Sequence, residues 1–239
     1  MCRILAFKAK GEPNLKVLKA FLSASKNDVY FKYGSHSDGW GFVSLISKNS
    51  KWKVLYYKTN EPIYEDPLFF DYLNLLKGDE IYAIFHARKA GKNFLLGVRH
   101  NHPYYYRLPT HDLYFAHNGS INRKAFSEPN YPSTDSYLFF LEIIRNYTSK
   151  NDFKTAYLET LSALSQYASS LNSALLTFNN QEGPRILVGY YYNKNRMKEI
   201  EEYYKLYRYE NYIFSSTVGY YLGKNVEELS FSSINEISG

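Results

Sequence analysis

The sequence has a single cysteine, no long apolar run and no block of like charge, and each shortage closes a class of answers. One cysteine in 239 residues excludes an intramolecular disulfide framework and leaves nothing for a thiolate-rich zinc site. No stretch approaches the roughly 18 apolar residues of a membrane-spanning helix. The opening Met1-Cys2-Arg3-Ile4-Leu5-Ala6-Phe7-Lys8 is too short for a signal-peptide core and lacks a small-residue cleavage site, so a cytoplasmic protein with no membrane role is expected. The net charge is +6, yet the lysines are scattered, and the run Lys198-Glu199-Ile200-Glu201-Glu202 mixes both signs. That pattern reads as a solvated surface and not as a nucleic-acid footprint. There is no internal repeat and no low-complexity tail.

What the chain has in quantity is tyrosine, 26 residues, much of it in alternating runs where a strand can bury the ring and keep the hydroxyl wet. Cys2 to Ala9 reads as a strand, and Leu15, Val17, Leu18, Phe21 and Leu22 recur at helical spacing up to Lys26. Val43 to Ile46 pairs with Lys53 to Tyr57 as a hairpin, a short helix covers Pro67 to Leu76, and Glu80 to Ala87 has a buried-strand pattern. Asp112 to His117 is a further strand, stopped by Asn118-Gly119. Two helices follow. One, over Tyr137 to Ile144, has an N-cap offered within Ser133-Thr134-Asp135; the other, over Lys154 to Ser169, sets Leu158, Leu161, Leu164 and Tyr167 on one face. Strands return at 174–178, 186–192, 205–209 and 212–216. Strands, helices and strands again, with no linker between them, predict one α+β domain over residues 1–239.

Cys2 would become the amino terminus if the initiator methionine were removed. A nucleophile there carries its own base, because an α-amino group of pKa about 7.7–8.0 can take the thiol proton through a bridging water. The thiolate, of ordinary pKa about 8.5, is itself a strong nucleophile.

Six stretches then fall in order behind Cys2: Met1-Cys2-Arg3, His36-Ser37-Asp38-Gly39-Trp40-Gly41, His86-Ala87-Arg88, His100-Asn101-His102-Pro103, Phe115-Ala116-His117-Asn118-Gly119-Ser120-Ile121 and Thr134-Asp135-Ser136. As a set they resemble the class II glutamine amidotransferases, which are N-terminal nucleophile hydrolases. Among these the chain looks most like standalone members such as the ergothioneine-pathway amidohydrolase and the glutathione-degrading amidotransferase subunit. The resemblance implies a four-layer αββα sandwich of two antiparallel sheets. It implies cleavage of the γ-carboxamide of L-glutamine, or of a related γ-glutamyl amide, through a glutamyl thioester. It calls for no cofactor and no metal, and allows a separate synthase or acceptor enzyme as partner.

By the same resemblance Asn118, through its side-chain amide, and Gly119, through its backbone N–H, form the oxyanion hole. Arg88 grips the substrate α-carboxylate, Asp135 accepts from the α-ammonium group, and His86 and His102 shape the pocket by hydrogen bonding loops together. Asp135 also suits the N-cap of the helix behind it. His36, Asp38, Gly39 and Trp40 are expected near the nucleophile strand, with Trp40 packed. After Arg88 the run is Lys89-Ala90-Gly91, with glycine where the family commonly has a hydroxyl residue, which leaves the γ-glutamyl substrate open. The alternative to an enzyme is a non-catalytic glutamine-binding regulatory subunit, which would be expected to lose at least one of Cys2, Asn118, Arg88 or Asp135.

Overall fold

The structure, a computed structural model, describes residues 2–30, 34–91 and 96–237; Met1, whose removal is expected, lies outside them. The first sheet has seven strands in the order β11-β9-β10-β1-β4-β2-β3. These are β1 (Arg3–Gly11), β2 (Trp40–Lys48), β3 (Lys51–Thr59), β4 (Gly78–Ala87), β9 (Leu206–Tyr209), β10 (Tyr212–Ser215) and β11 (Glu227–Glu228). The second has five in the order β12-β8-β7-β6-β5: β5 (Tyr104–Arg107), β6 (Asp112–Asn118), β7 (Asn172–Asn179), β8 (Gly183–Tyr190) and β12 (Ser233–Ile237). All the pairings between these strands are antiparallel.

Strands buried on both faces read as near-continuous apolar runs, and period-two alternation divides each between two cores. From β1, Ile4 and Ala6 join Val43, Ile84, Ala116, Ala174 and Val188 between the sheets. Leu5 and Phe7 instead join Phe42, Phe85 and Phe214 beneath α1 (Leu15–Lys26), α2 (Leu68–Leu75) and α7 (Ser216–Leu222). A third core packs Phe115, Leu175 and Leu187 against α3 (Asp135–Lys150) and α4 (Phe153–Leu164). Helices, sheet, sheet and helices give the four-layer αββα sandwich of the N-terminal nucleophile hydrolases. The short helices α5 (Lys194–Met197) and α6 (Glu201–Tyr204) lead from β8 back to β9.

Helix α1 and the β2–β3 hairpin lie where the periodicity places them. Leu158 and Tyr167 do not turn inward: they are 44% and 43% exposed. The inward face of α4 is Phe153, Ala156, Tyr157, Thr160, Leu161 and Leu164. The helix stops at Leu164 and a 3-10 turn carries Tyr167 out of phase. Ser216, read as the end of a strand, begins α7, whose Val218 packs in the same core as Phe214. The last two strands, β11 and β12, lack the alternating apolar pattern and were not foreseen.

Candidate active site

Side chains alternate along β1, so residues 2 and 3 serve opposite faces of the sheet. Cys2 continues the phase of Ile4 and looks between the sheets; Arg3 continues that of Leu5 and points toward the helices. On the neighbouring strand, His86 lies directly opposite Ile4 and Ala87 opposite Arg3. The end of β4 therefore delivers His86 and, just past the strand, Arg88 to the edge of the inter-sheet space beside Cys2. From the second sheet β6 arrives at the same point and ends on Asn118, which is paired with Asn172 of β7.

Cys2 is 7% exposed. Its backbone nitrogen donates to Asn118 Oδ1 at 2.7 Å, and its Sγ lies 3.8 Å from the Lys89 carbonyl oxygen. Burial alone would push the thiol up, but the nearby His86 imidazole, the charge of the chain's amino terminus and that of Arg88 outweigh it and hold the thiol down at about 6. Asn118 is 1% exposed, and with Oδ1 committed to Cys2 its Nδ2 has no partner among the described residues. Buried donors are nearly always satisfied, so one left open beside a nucleophile is the kind of exception that marks a ligand position.

Gly119 follows at a place where no side chain fits. A Cβ there would fall 2.0 Å from the Ser170 carbonyl oxygen and 2.8 Å from His117 Nε2. His117 is itself fixed, with Nε2 donating to Ser170 O at 3.0 Å and Nδ1 against the Ser136 hydroxyl at 2.9 Å. Asp135 is the first residue of α3 and not its N-cap; that role belongs to Thr134, whose hydroxyl accepts from Tyr137 N. Asp135 is half-buried, and its carboxylate accepts from Ile121 N at 2.8 Å and Ser136 N at 2.9 Å. It thereby ties the loop after Asn118-Gly119 to the start of α3, where the helix dipole favours negative charge.

Arg88 is 5% exposed, not the ordinary surface arginine a strand end could carry, and its Nη1 donates to Asn101 Oδ1 at 3.4 Å. The Asp38-Gly39-Trp40-Gly41 turn grips this segment. Asp38 N donates to Arg88 O, Arg88 N to Gly39 O, and Ala90 N to Asp38 Oδ2 at 2.7 Å, while Lys89 Nζ lies 3.4 Å from Asp38 Oδ1. Gly39 has φ +108°, and a Cβ there would fall 2.2 Å from Asn101 Nδ2. The turn is not beside the nucleophile strand, as expected from sequence: β4 stands between β1 and β2. It acts on the site through the Arg88 loop. Trp40 is fully buried on the helix side, stacked near Phe42 and Phe85, with Nε1 donating to Asp66.

His36 also differs from the expectation. It lies on the helix side of the sheet, fully buried, with Nε2 2.9 Å from Asp28 Oδ2. Asp28 also accepts from Arg3 Nε, from the Thr217 hydroxyl at 2.6 Å and from Tyr30 N at 3.0 Å. The Arg3 guanidinium lies 3.7 Å over the ring of Tyr203, whose hydroxyl reaches the Cys2 carbonyl at 3.4 Å. His86, fully buried, bridges the sheets by donating from Nε2 to His117 O at 3.3 Å. His102 bonds no loop: it packs against the rings of His86 and Tyr104, centroids 4.2 and 4.6 Å away, and neither ring nitrogen has a hydrogen-bond partner among the described residues.

With this geometry in hand, the sequence profile of the class II glutamine amidotransferases matches residues 1–195. The chain belongs to that family. Its fold is that of the N-terminal nucleophile hydrolases. A solved structure described as the allosteric regulatory enzyme of purine biosynthesis superposes with a TM-score of 0.62 at 17% identity, covering 99% of this chain and 48% of that one. The amidotransferase thus spans about half the length of that protein. A predicted glutamine amidotransferase from Pseudomonas aeruginosa PA01 gives a TM-score of 0.40 at 12% identity, over 98% of this chain and 81% of the other. A search of curated proteins returns no match. No helix among the described residues is long and apolar enough to cross a membrane, and no three of their His, Cys, Asp or Glu side chains are grouped to hold a metal ion.

Sequence reasoning on this amidotransferase missed Asn101, Asp28, Thr217 and Tyr203. Asn101 was within reach, since it stands inside the His100–Pro103 run. Tyr203 carries no signal at all, being one tyrosine of 26.

Proposed function

We propose that the protein hydrolyses the γ-carboxamide of L-glutamine, or of a related γ-glutamyl amide, through a Cys2 thiolate and a glutamyl thioester. The observation that carries this reading is the double use of Asn118. Its Oδ1 holds the nitrogen of Cys2 at 2.7 Å, and its Nδ2 is buried with no partner among the described residues. A tetrahedral oxyanion formed at Cys2 supplies that partner. Such a donor is worth about 3–4 kcal/mol in the transition state.

Once Met1 is removed, the nitrogen held by Asn118 is the α-amine. Gly119 N–H is the second oxyanion donor. Arg88 pairs with the α-carboxylate of the substrate and the free lone pairs of Asp135 accept from its α-ammonium, so that an amino-acid amide is preferred over a plain one. Ammonia or an amine leaves, water resolves the thioester to glutamate, and the released nitrogen passes to an acceptor enzyme on another chain or to solution. A thiol that works as a nucleophile must stay reduced, which suits the cytoplasm.

The test is the intact mass of the purified protein before and after exposure to a glutamine-mimicking diazoketone. Loss of methionine and gain of one adduct are expected, with no adduct on Cys2→Ala and a slower one on Arg88→Ala. A processed chain that takes no adduct, alone or with candidate acceptor enzymes, overturns the reading.

A further inference from the structure

We propose that Asp38 is a positioning residue for the nucleophile, acting through the Lys89–Ala90 peptide, which its carboxylate holds from one side so that the Lys89 carbonyl receives the Cys2 thiol on the other. This rests on the reading of Cys2 as the nucleophile. A trans peptide points its N–H and its C=O in opposite directions, and the one cis bond among the described residues lies elsewhere, at His102-Pro103. Ala90 N donates to Asp38 Oδ2 at 2.7 Å. The carbonyl of the same peptide, Lys89 O, therefore faces away from Asp38, and Cys2 Sγ donates to it at 3.8 Å.

The other carboxylate oxygen holds the same segment. Asp38 Oδ1 lies 3.4 Å from Lys89 Nζ, which also donates to Ser37 Oγ at 3.2 Å. Arg88, by contrast, is joined to this turn through backbone alone: Asp38 N donates to Arg88 O, and Arg88 N to Gly39 O. The two parts of the turn thus have separate work. Its backbone places Arg88, and its one carboxylate places the carbonyl that meets the sulfur.

Relative strengths say which end governs. A thiol is a weak donor and cannot hold a loop carbonyl in place, whereas a hydrogen bond to a carboxylate is roughly twice as strong as a neutral one. Orientation is therefore set at Asp38 and passed to the sulfur. While the thiol is protonated, the carbonyl keeps Sγ in one rotamer. When the S–H bond breaks and its proton passes to the α-amine of the processed chain, the sulfur has nothing left to donate, and thiolate and carbonyl oxygen repel. The nucleophile then leaves the carbonyl for the substrate from a fixed starting position.

The chain has one cysteine, so the infrared S–H stretch belongs to Cys2 alone, and hydrogen bonding lowers its frequency. Spectra are taken below pH 6, where Cys2 keeps its proton. They compare wild type with Asp38→Asn, which keeps an oxygen for Ala90 N–H, and with Asp38→Ala, which keeps none. A lowered band is expected in the first two and a band near the free-thiol position in the third. A wild-type band already at the free position overturns the proposal whether or not the variants fold. So does an Asp38→Ala band that stays with a lowered wild-type band. An Asp38→Asn band that moves with the alanine variant's overturns it too, because charge and not the bond to the peptide would then be what counts. Kinetics on glutamine should divide the same way. Asp38→Ala is expected to lower kcat by about 10–100-fold, as a small misplacement of a reacting group does, with KM little changed and most of the rate restored in Asp38→Asn. A raised KM at unchanged kcat makes Asp38 a support for Arg88 and overturns the proposal. Glutamine hydrolysis with an unmoved band sinks this proposal alone. A band that moves as expected in a chain that hydrolyses no γ-glutamyl amide sinks the glutamine reading alone.

Discussion

Cys2 and Arg3 are neighbours in sequence and stand in opposite kinds of surroundings. Behind β1, Asp28 is met by Arg3, His36, Thr217 and the backbone of Tyr30, and only Arg3 Nη2 in that cluster has no partner among the described residues. In front of β1, Asn118 Nδ2, His86 Nδ1 and both nitrogens of His102 have no partner among the described residues. A buried network whose acceptors are filled holds structure in place, whereas a buried cluster with open donors and acceptors is set for something that arrives later. The two lie one strand thickness apart, so perturbing each should give different readouts.

The largest effect is expected from breaking the filled side. Asp28→Ala leaves the Arg3 charge buried with one face of its guanidinium bare, and removing one partner of a buried ion pair costs about 3–5 kcal/mol. Urea unfolding should show a loss of that size, with the Cys2 alkylation profile of the folded fraction little moved. Breaking the open side should do the reverse. Asn118→Ala removes the proposed oxyanion donor and is expected to lower kcat for the proposed glutamine hydrolysis by about 100–1,000-fold, with a small change in unfolding midpoint. If Asn118→Ala unfolds the protein as readily as Asp28→Ala, the contrast between the two faces is wrong.

How much of this could be read from the chain follows the same division. The open side announces itself because chemistry fixes residue types in short runs: His86-Ala87-Arg88 ends a strand, and His117-Asn118-Gly119 ends another. Gly119 was named through the family resemblance, and the structure adds that a Cβ at that point would meet the Ser170 backbone. The filled side is assembled from single residues at sequence separations of 25, between Arg3 and Asp28, and 189, between Thr217 and Asp28, and a lone Asp or Thr has no local pattern. His36 was singled out for its run, yet it faces the helices, because whether a side chain before β2 turns in or out depends on strand phase that a loop does not transmit. The α+β class was legible in the strand and helix patterns and the four layers only through the family resemblance, while α7 was not legible, since the strand residue Phe214 and the helix residues Val218 and Tyr221 all carry strand-like side chains.

The two sides should also part on acidification. Burial holds His36 down at about 4 and outweighs the pull of Asp28 in the other direction. Its pKa in the unfolded chain is about 6.5, so the unfolded state binds the proton first, and stability falls as pH drops from there towards 4, by about 3 kcal/mol in all. Asp28 works in the lower window. Burial pushes its carboxyl up, but the hydrogen bond from His36 and the charge of Arg3 hold it down at about 2, and the stability it contributes above its unfolded pKa is lost as pH falls through that value. Activity, governed by the Cys2 thiol at about 6, should be declining before most of this stability is gone. Urea midpoints and kcat/KM measured across the same pH series separate the two losses, and coincident curves would tie them to one group.

The smallest effect tests the seam. Tyr203 belongs to both sides: its ring lies 3.7 Å under the Arg3 guanidinium, and its hydroxyl reaches the Cys2 carbonyl at 3.4 Å. Tyr203→Phe keeps the ring and removes the hydroxyl. A long neutral hydrogen bond contributes about 0.5–1 kcal/mol, so the expected result is a two- to fivefold fall in kcat, an unchanged KM and an unfolding midpoint near that of wild type. Tyr203→Leu removes the cation–π contact as well, worth about 1–2 kcal/mol when desolvated, and should add a loss of stability without a matching further loss in kcat. If the Phe variant instead loses as much stability as the Leu variant, the hydroxyl belongs to the filled network, and the orientation of Cys2 is inherited from the charges behind its strand.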